Sequence, residues 1–159
     1  MLQFLQRMVL NRSYKNHAYL IGIFLAIFTN VVTAASGDST MTNITFQLDG
    51  EKVEIFLDEN DAARDLLSLL PQQLEWDDYG GVEKISYLPR KISIQGTPDG
   101  YTPIRGDFAY YAPWGNIVIF CKQFSYSPGL IKLGHVNTGL EAACRKGKYT
   151  VVMKTAMTR

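Results

Sequence analysis

The feature that most constrains the fold is an alternation of apolar residues on both sides of an Asp49-Gly50 pair. Every second residue is apolar in 44–48 and again in 53–57, with Phe56 on the opposite face of the second run. Side chains alternate between the two faces of a strand, so each run is typical of a half-buried strand. Asp-Gly is a pair favoured by the tight turn of a two-residue hairpin. We therefore predict a β-hairpin here.

One helix is predicted after this hairpin, from Asn60 to Leu70. Asn60 can cap its first turn, and Asp61 places negative charge near the positive end of the helix dipole. Apolar residues recur at helical spacing up to Leu70. Pro71 then ends the helix, because proline disfavours the helical conformation in the residue before it. The acidic stretch 58–61 indicates a turn and a helix cap, since a calcium loop needs more oxygen ligands at fixed spacing.

The remaining chain is predicted to form short strands separated by turns rich in glycine and proline. The candidate strands are 74–79, 83–88, 108–112, 116–122, 130–136 and 149–154, with a long loop at 89–103 and a helical turn at 139–144. Many short strands with turn signals between them indicate a sandwich or a closed barrel. A single helix would plug an open end of such a barrel.

The first 34 residues are predicted to be a cleavable secretory signal. They contain three basic residues and no acidic one, an apolar run at 18–28, and small residues before Ala35. The apolar run is shorter than the roughly 20 residues that span a bilayer, although an uncleaved anchor is the alternative. We expect an exported protein, periplasmic or extracellular. The resulting division is a signal peptide at 1–34, a linker at 35–41 and a domain at 42–159.

Removal of the signal leaves a nearly balanced charge. Three of the 16 basic residues lie in the signal, which leaves 13 against 15 acidic residues and a net charge of −2. A protein that binds nucleic acid needs a basic face. We therefore expect no nucleic-acid partner, and no membrane contact once the signal is cleaved.

Few residues in the predicted domain could bind a metal or act as nucleophiles. His135 is its one histidine, and Cys121 and Cys144 have no ligand spacing, so we predict no metal site. The phosphate-binding loop and the nucleophile elbow are absent, and we predict no cofactor. The two cysteines could pair in an oxidising compartment. The apolar run before Cys121 favours buried free thiols instead.

Prolines, glycines and aromatic residues stand at specific offsets in the stretches 95–103, 106–116 and 124–134. The middle stretch includes Tyr110-Tyr111-Ala112-Pro113-Trp114-Gly115-Asn116. With these stretches, the Gly80-Gly81 pair and the helix before Pro71, the chain resembles the cyclophilin-like fold family of small bacterial proteins over residues 42–154. The resemblance implies a mostly β domain: a closed eight-stranded barrel with one main helix.

The resemblance does not imply prolyl isomerase activity. True cyclophilins place an arginine beside a hydrophobic proline pocket, in a motif with Pro-Gly-Phe and Gln-Gly-Gly. Arg90 and Gln95 echo that motif at a shorter spacing, but the Pro-Gly-Phe segment is absent. No catalytic residue is therefore carried over, because a shared fold does not determine function.

The aromatic residues of the second half suggest a concave binding groove on the barrel. Aromatic rings can stack on proline or another planar ligand, and an arginine can donate to a carbonyl or a carboxylate beside them. We expect a binding module for a peptide or a small ligand, with prolyl isomerisation of exported proteins as the alternative. Packing in the core is the other explanation for these rings. The candidate ligand-binding residues are Arg90, Arg105, Tyr110, Tyr111, Trp114, Phe124 and Tyr126.

Overall fold

The structure is a computed structural model that describes residues 42–156. The predicted signal peptide at 1–34 and the linker at 35–41 lie outside these residues. Neither helix in the described part of the chain is long and apolar enough to cross a membrane.

The described chain consists of ten strands and two short helices. In chain order they are β1 (Asn43–Leu48), β2 (Glu51–Leu57), α1 (Asp61–Leu67), β3 (Gln72–Tyr79), β4 (Glu83–Tyr87), β5 (Gly100–Tyr101), β6 (Asp107–Tyr111), β7 (Asn116–Phe120), β8 (Ser127–Pro128), β9 (Leu130–Thr138), α2 (Leu140–Ala143) and β10 (Tyr149–Thr155).

Eight of the strands close into a barrel in the order β1-β10-β3-β4-β7-β6-β9-β2, and neighbouring strands run antiparallel. The predicted mostly β, eight-stranded closed barrel with one main helix is confirmed. Closure leaves no barrel strand with an unpaired edge. The two-residue strands β5 and β8 form a separate small sheet: β5 lies in the predicted long loop at 89–103, and β8 lies between the predicted strands 116–122 and 130–136.

The first hairpin has the register that its apolar pattern predicts. Phe46 lies opposite Val53, and Leu48 lies opposite Glu51. Asp49 and Gly50 both have positive φ angles, 51° and 84°, as the favoured two-residue hairpin turn requires. The alternate apolar side chains of both strands are buried in the barrel interior.

Helix α1 begins as predicted and ends earlier than predicted. The Asn60 side-chain oxygen accepts a hydrogen bond of 2.8 Å from the Ala63 N–H, which satisfies one of the free donors of the first turn. Ala62, Ala63 and Leu66 are buried in the same core as the barrel interior. The regular helix stops at Leu67, and tighter turns fill the remaining residues before Pro71.

Cys121 and Cys144 form a disulfide, so the expectation of buried free thiols is wrong. The apolar run that suggested a buried thiol ends at Phe120, the last residue of β7, and Cys121 is only half-buried in the loop that follows. Cys144 ends α2, and the two Cα atoms are 5.6 Å apart. That separation is within the range of disulfides in proteins. The sequence could not supply this proximity, because it depends on how the barrel closes.

Candidate functional site

A cleft of about 200 Å³ lies on the outer face of the barrel. Strand β7 is buried along its whole length because both of its faces are covered. Ile117 and Ile119 point into the barrel core, whereas Val118 and Phe120 belong to a second apolar cluster on the outside. Val118, Phe120 and Leu130 form the apolar floor of the cleft. A floor of this kind exists only because a segment outside the barrel shields it from water.

The loops around β5 and β8 supply that shield. The Phe124 N–H donates to the Pro103 carbonyl oxygen at 3.2 Å, and the Gly129 N–H donates to the Asp99 carbonyl oxygen at 2.6 Å. Tyr101 of β5 packs against the outer cluster. The two long loops are therefore bonded to each other over the sheet, and Phe124 on the second one forms a wall of the cleft.

Three aromatic rings are joined edge to face around the cleft. The ring centroid of Trp114 lies 5.2 Å from that of Tyr79 and 5.4 Å from that of Tyr111, at interplanar angles of 89° and 79°. Trp114 occupies the turn between β6 and β7, where the Gly115 N–H donates to the Tyr111 carbonyl oxygen. Trp114 is 46% exposed. An aromatic cluster with exposed faces beside an apolar floor is typical of a binding surface.

Two polar side chains line the cleft without a strong partner. Asn116 is 1% exposed, and its side-chain oxygen has no hydrogen-bond partner. Its side-chain N–H group donates only to the Ile117 carbonyl oxygen, at 3.5 Å. Glu83 is half-buried, and burial raises the pKa of its carboxyl group. A buried acceptor without a donor costs about 1–3 kcal/mol, so the cleft offers hydrogen-bond acceptors to a ligand.

The structure brings together three of the predicted site residues: Tyr111, Trp114 and Phe124 all line the cleft. Tyr110 is 1% exposed and lies in the barrel core. It faces inward because neighbouring residues of a strand point to opposite faces. Tyr126 is 56% exposed and does not line the cleft.

Arg90 does not line the cleft, because it binds helix α1. Its guanidinium group donates to both carboxylate oxygens of Asp65, at 2.9 and 2.6 Å, and to the Ser68 hydroxyl at 2.9 Å. The Arg90 guanidinium, together with the Ser93 N–H and the Ser68 hydroxyl, holds the pKa of the Asp65 carboxyl group well below its usual range. The role of Arg90 in this structure is to fasten the loop after β4 to α1.

Arg105 also has a partner away from the cleft. Its guanidinium group pairs with the Glu141 carboxylate on α2, and both side chains are largely exposed. Neither of the two predicted arginine donors therefore lines the groove. The sequence predicted that arginine side chains would donate hydrogen bonds to a ligand, whereas the polar groups that line the cleft are acceptors.

Sequence reasoning missed Tyr79, Glu83 and Asn116 as cleft residues. Tyr79 and Glu83 lie on either side of the Gly80-Gly81 turn, and the sequence alone gives no reason to distinguish them from other residues at strand ends. Asn116 follows the Trp114 turn and belongs to the stretch that carries the family resemblance. The available signal was the phase of β7: residues 116, 118 and 120 share the face opposite to Ile117.

No group of three or more histidine, cysteine, aspartate or glutamate residues within 42–156 is arranged to hold a metal ion. His135 lies on β9 with its ring edge-to-face against Phe56, at 5.6 Å between centroids.

The described domain is a small antiparallel barrel with an aromatic, acceptor-lined cleft on its outer face. A family model described as the cyclophilin-like family matches residues 46–154, and the chain belongs to this family. No curated protein matches the chain. A hypothetical protein from Archaeoglobus fulgidus, whose structure was solved in solution, has the same fold with a TM-score of 0.55. It is 14% identical, and the match covers 73% of this chain and 95% of that one.

Proposed function

We propose that this protein is an exported binding module that holds a peptide or a small ligand in the outer-face cleft without catalysing a reaction. The observation that carries the proposal is the combination of an apolar floor, exposed aromatic rings and a buried acceptor in one cleft. Trp114 exposes nearly half of its surface beside Asn116, whose side-chain oxygen has no partner. Ligand sites are commonly apolar with a few polar groups that fix orientation.

The positions of the arginines favour binding over prolyl isomerisation. True cyclophilins, the prolyl isomerases that the fold resembles, use an arginine beside the hydrophobic proline pocket. Here Arg90 is bonded to Asp65 and Arg105 to Glu141. Isomerisation is the second candidate, because Trp114 and Tyr111 offer aromatic faces of the kind on which proline stacks.

The Cys121–Cys144 disulfide supports the proposal of export. Disulfides persist in the periplasm and outside the cell, whereas cytosolic thiols are kept reduced. The basic, apolar and small-residue pattern of the first 34 residues points in the same direction.

The experiment is an NMR titration of the full chain with short X-Pro peptides and with a library of small fragments. The chain has two tryptophans, and their indole N–H signals report on two places: Trp114 at the cleft and Trp76 fully buried in the core. We expect a ligand to shift the Trp114 signal and leave the Trp76 signal unchanged. Cis/trans exchange of the X-Pro bond should remain as slow as it is without a catalyst, with a time constant of tens of seconds.

A matched pair of variants identifies the binding surface. Trp114→Ala should abolish the shifts of neighbouring backbone signals, whereas Val152→Ala should not, because Val152 is exposed on β10, three strands around the barrel from β7. Accelerated exchange that Trp114→Ala removes would support the isomerase instead. Ligands that bind equally well to both variants would contradict the cleft as the site.

A further inference from the structure

Glu83 gives the cleft a charge preference. Resting on the proposed function, we infer that the ligand is an elongated amine, whose protonated ammonium group binds at Glu83 and whose chain runs along β7 towards Asn116. A lysine-containing peptide and a free alkyl amine share this chemistry.

Glu83 differs from the buried charged groups elsewhere in the domain. Lys84, which points into the barrel, donates to Asp78 at 3.0 Å and to two backbone carbonyl oxygens. Asp107 pairs with Lys132 at 3.0 Å. Within residues 42–156, by contrast, Glu83 makes no ion pair. Burial raises the pKa of its carboxyl group. A carboxylate that loses water without a partner favours a cationic ligand.

The aromatic rings near Glu83 suit the same cation. Tyr79 lies directly opposite Glu83 in the β3–β4 pairing, and Trp114 meets the Tyr79 ring at 5.2 Å. The negative faces of tyrosine and tryptophan rings attract an ammonium group within about 6 Å, and tryptophan is the best of the aromatic residues for this. A carboxylate together with these rings binds an organic cation, while the few oxygen ligands are insufficient for a metal ion.

The register of β4 and β7 sets the length of the ligand. Glu83 lies opposite Phe120 at one end of this pairing, and Asn116 lies opposite Tyr87 at the other. Four residues of strand separate the two ends, which is about 13 Å at roughly 3.3 Å per residue. The floor between them is apolar. A ligand that reaches both ends therefore has an aliphatic middle and, at the Asn116 end, an N–H group that can donate to the free acceptor.

Calorimetric titration of the full chain with two blocked tetrapeptides tests the inference. The peptides are identical except that one carries lysine and the other carries norleucine, which has a similar aliphatic side chain without the ammonium group. We expect the lysine peptide to bind about tenfold more tightly, the factor that corresponds to about 1.4 kcal/mol. Glu83→Gln should abolish this preference. Glu75→Gln should keep it, because Glu75 is exposed on β3 and bonded to Lys148 outside the cleft. Thermal unfolding of each variant checks that the fold is intact.

The outcomes separate the inference from the proposed function. Equal affinity for the two peptides, with the Trp114 indole signal shifting for both, would overturn the amine inference and leave the cleft as a ligand site. A preference for lysine that survives Glu83→Gln would also overturn it. If n-butylamine, which is too short to reach Asn116, binds as tightly as the lysine peptide and with the same dependence on Glu83, the ammonium site stands and the inferred length of the ligand is overturned. If only the peptide binds in this way, its backbone donors are required as well. If no probe, fragments included, shifts the Trp114 signal, the cleft itself is refuted.

Discussion

The Cys121–Cys144 disulfide should contribute a large part of the stability of this domain. The two residues are 23 positions apart in sequence. Closing a loop of that length removes conformational entropy from the unfolded chain worth about 3.4 kcal/mol at 25 °C. Small domains are stable by only about 5–15 kcal/mol. We therefore expect the double variant Cys121→Ser/Cys144→Ser to lose roughly a quarter to two thirds of the free energy of unfolding.

Urea unfolding of the wild type and the double variant measures this loss. With a slope of about 1–3 kcal/mol/M for a small domain, the midpoint should fall by about 1–3 M urea. The wild type under reducing conditions is the internal control, and its midpoint should fall to nearly that of the double variant. The bridged loop includes Phe124 and Leu130 of the cleft, so reduction should also broaden the NMR signals of these residues. A double variant within about 0.5 kcal/mol of the oxidised wild type would refute the reasoning, as would two freely titrating thiols in the folded protein.

Two further predictions concern helix α1. Asn60→Ala removes the acceptor for the Ala63 N–H and should cost about 1 kcal/mol in urea unfolding; an unchanged midpoint would contradict the cap. Because Arg90 holds the pKa of Asp65 below its unfolded value of about 4, their contact stabilises the fold above that pH and is lost as pH falls towards the folded-state pKa. The stability difference between wild type and Asp65→Asn should thus be largest at neutral pH and shrink below about pH 4. A difference that is constant from pH 7 to pH 2 would exclude this linkage.

Local sequence signals predicted those parts of the fold that local physics determines. The Asp49-Gly50 turn requires two residues with positive φ, and this dipeptide tolerates them. Asn60 caps α1 through a hydrogen bond to Ala63, which is only three positions further along the sequence. The two-residue strand β5 was missed because two residues paired with β8 are too few to leave a periodic pattern. The end of α1 was placed three residues late because apolar spacing continues through the tighter turns after Leu67.

The candidate site is formed by contacts between residues far apart in sequence, and no local sequence pattern predicts such contacts. Arg90 reaches Asp65 across 25 positions, and Trp114 meets Tyr79 across 35 positions of sequence. Both contacts depend on the closed strand order of the barrel. Tyr110 and Tyr111 could not be assigned to faces until the phase of β6 was known, since a shift of one residue exchanges the two faces. The sequence therefore predicted several aromatic residues of the groove, but it did not predict that the polar groups lining the groove are acceptors.

The most direct test of the central claim compares the two tryptophan indole signals while ligands are added to the full chain. Trp114 lies at the cleft and Trp76 in the barrel core, so one spectrum contains both the reporter and its control. We expect bound ligands to shift the Trp114 signal and leave the Trp76 signal in place, and we expect the ligand-induced shifts of the backbone signals near residue 114 to disappear in Trp114→Ala. Ligands that bind the chain while the Trp114 signal stays unmoved would contradict the claim.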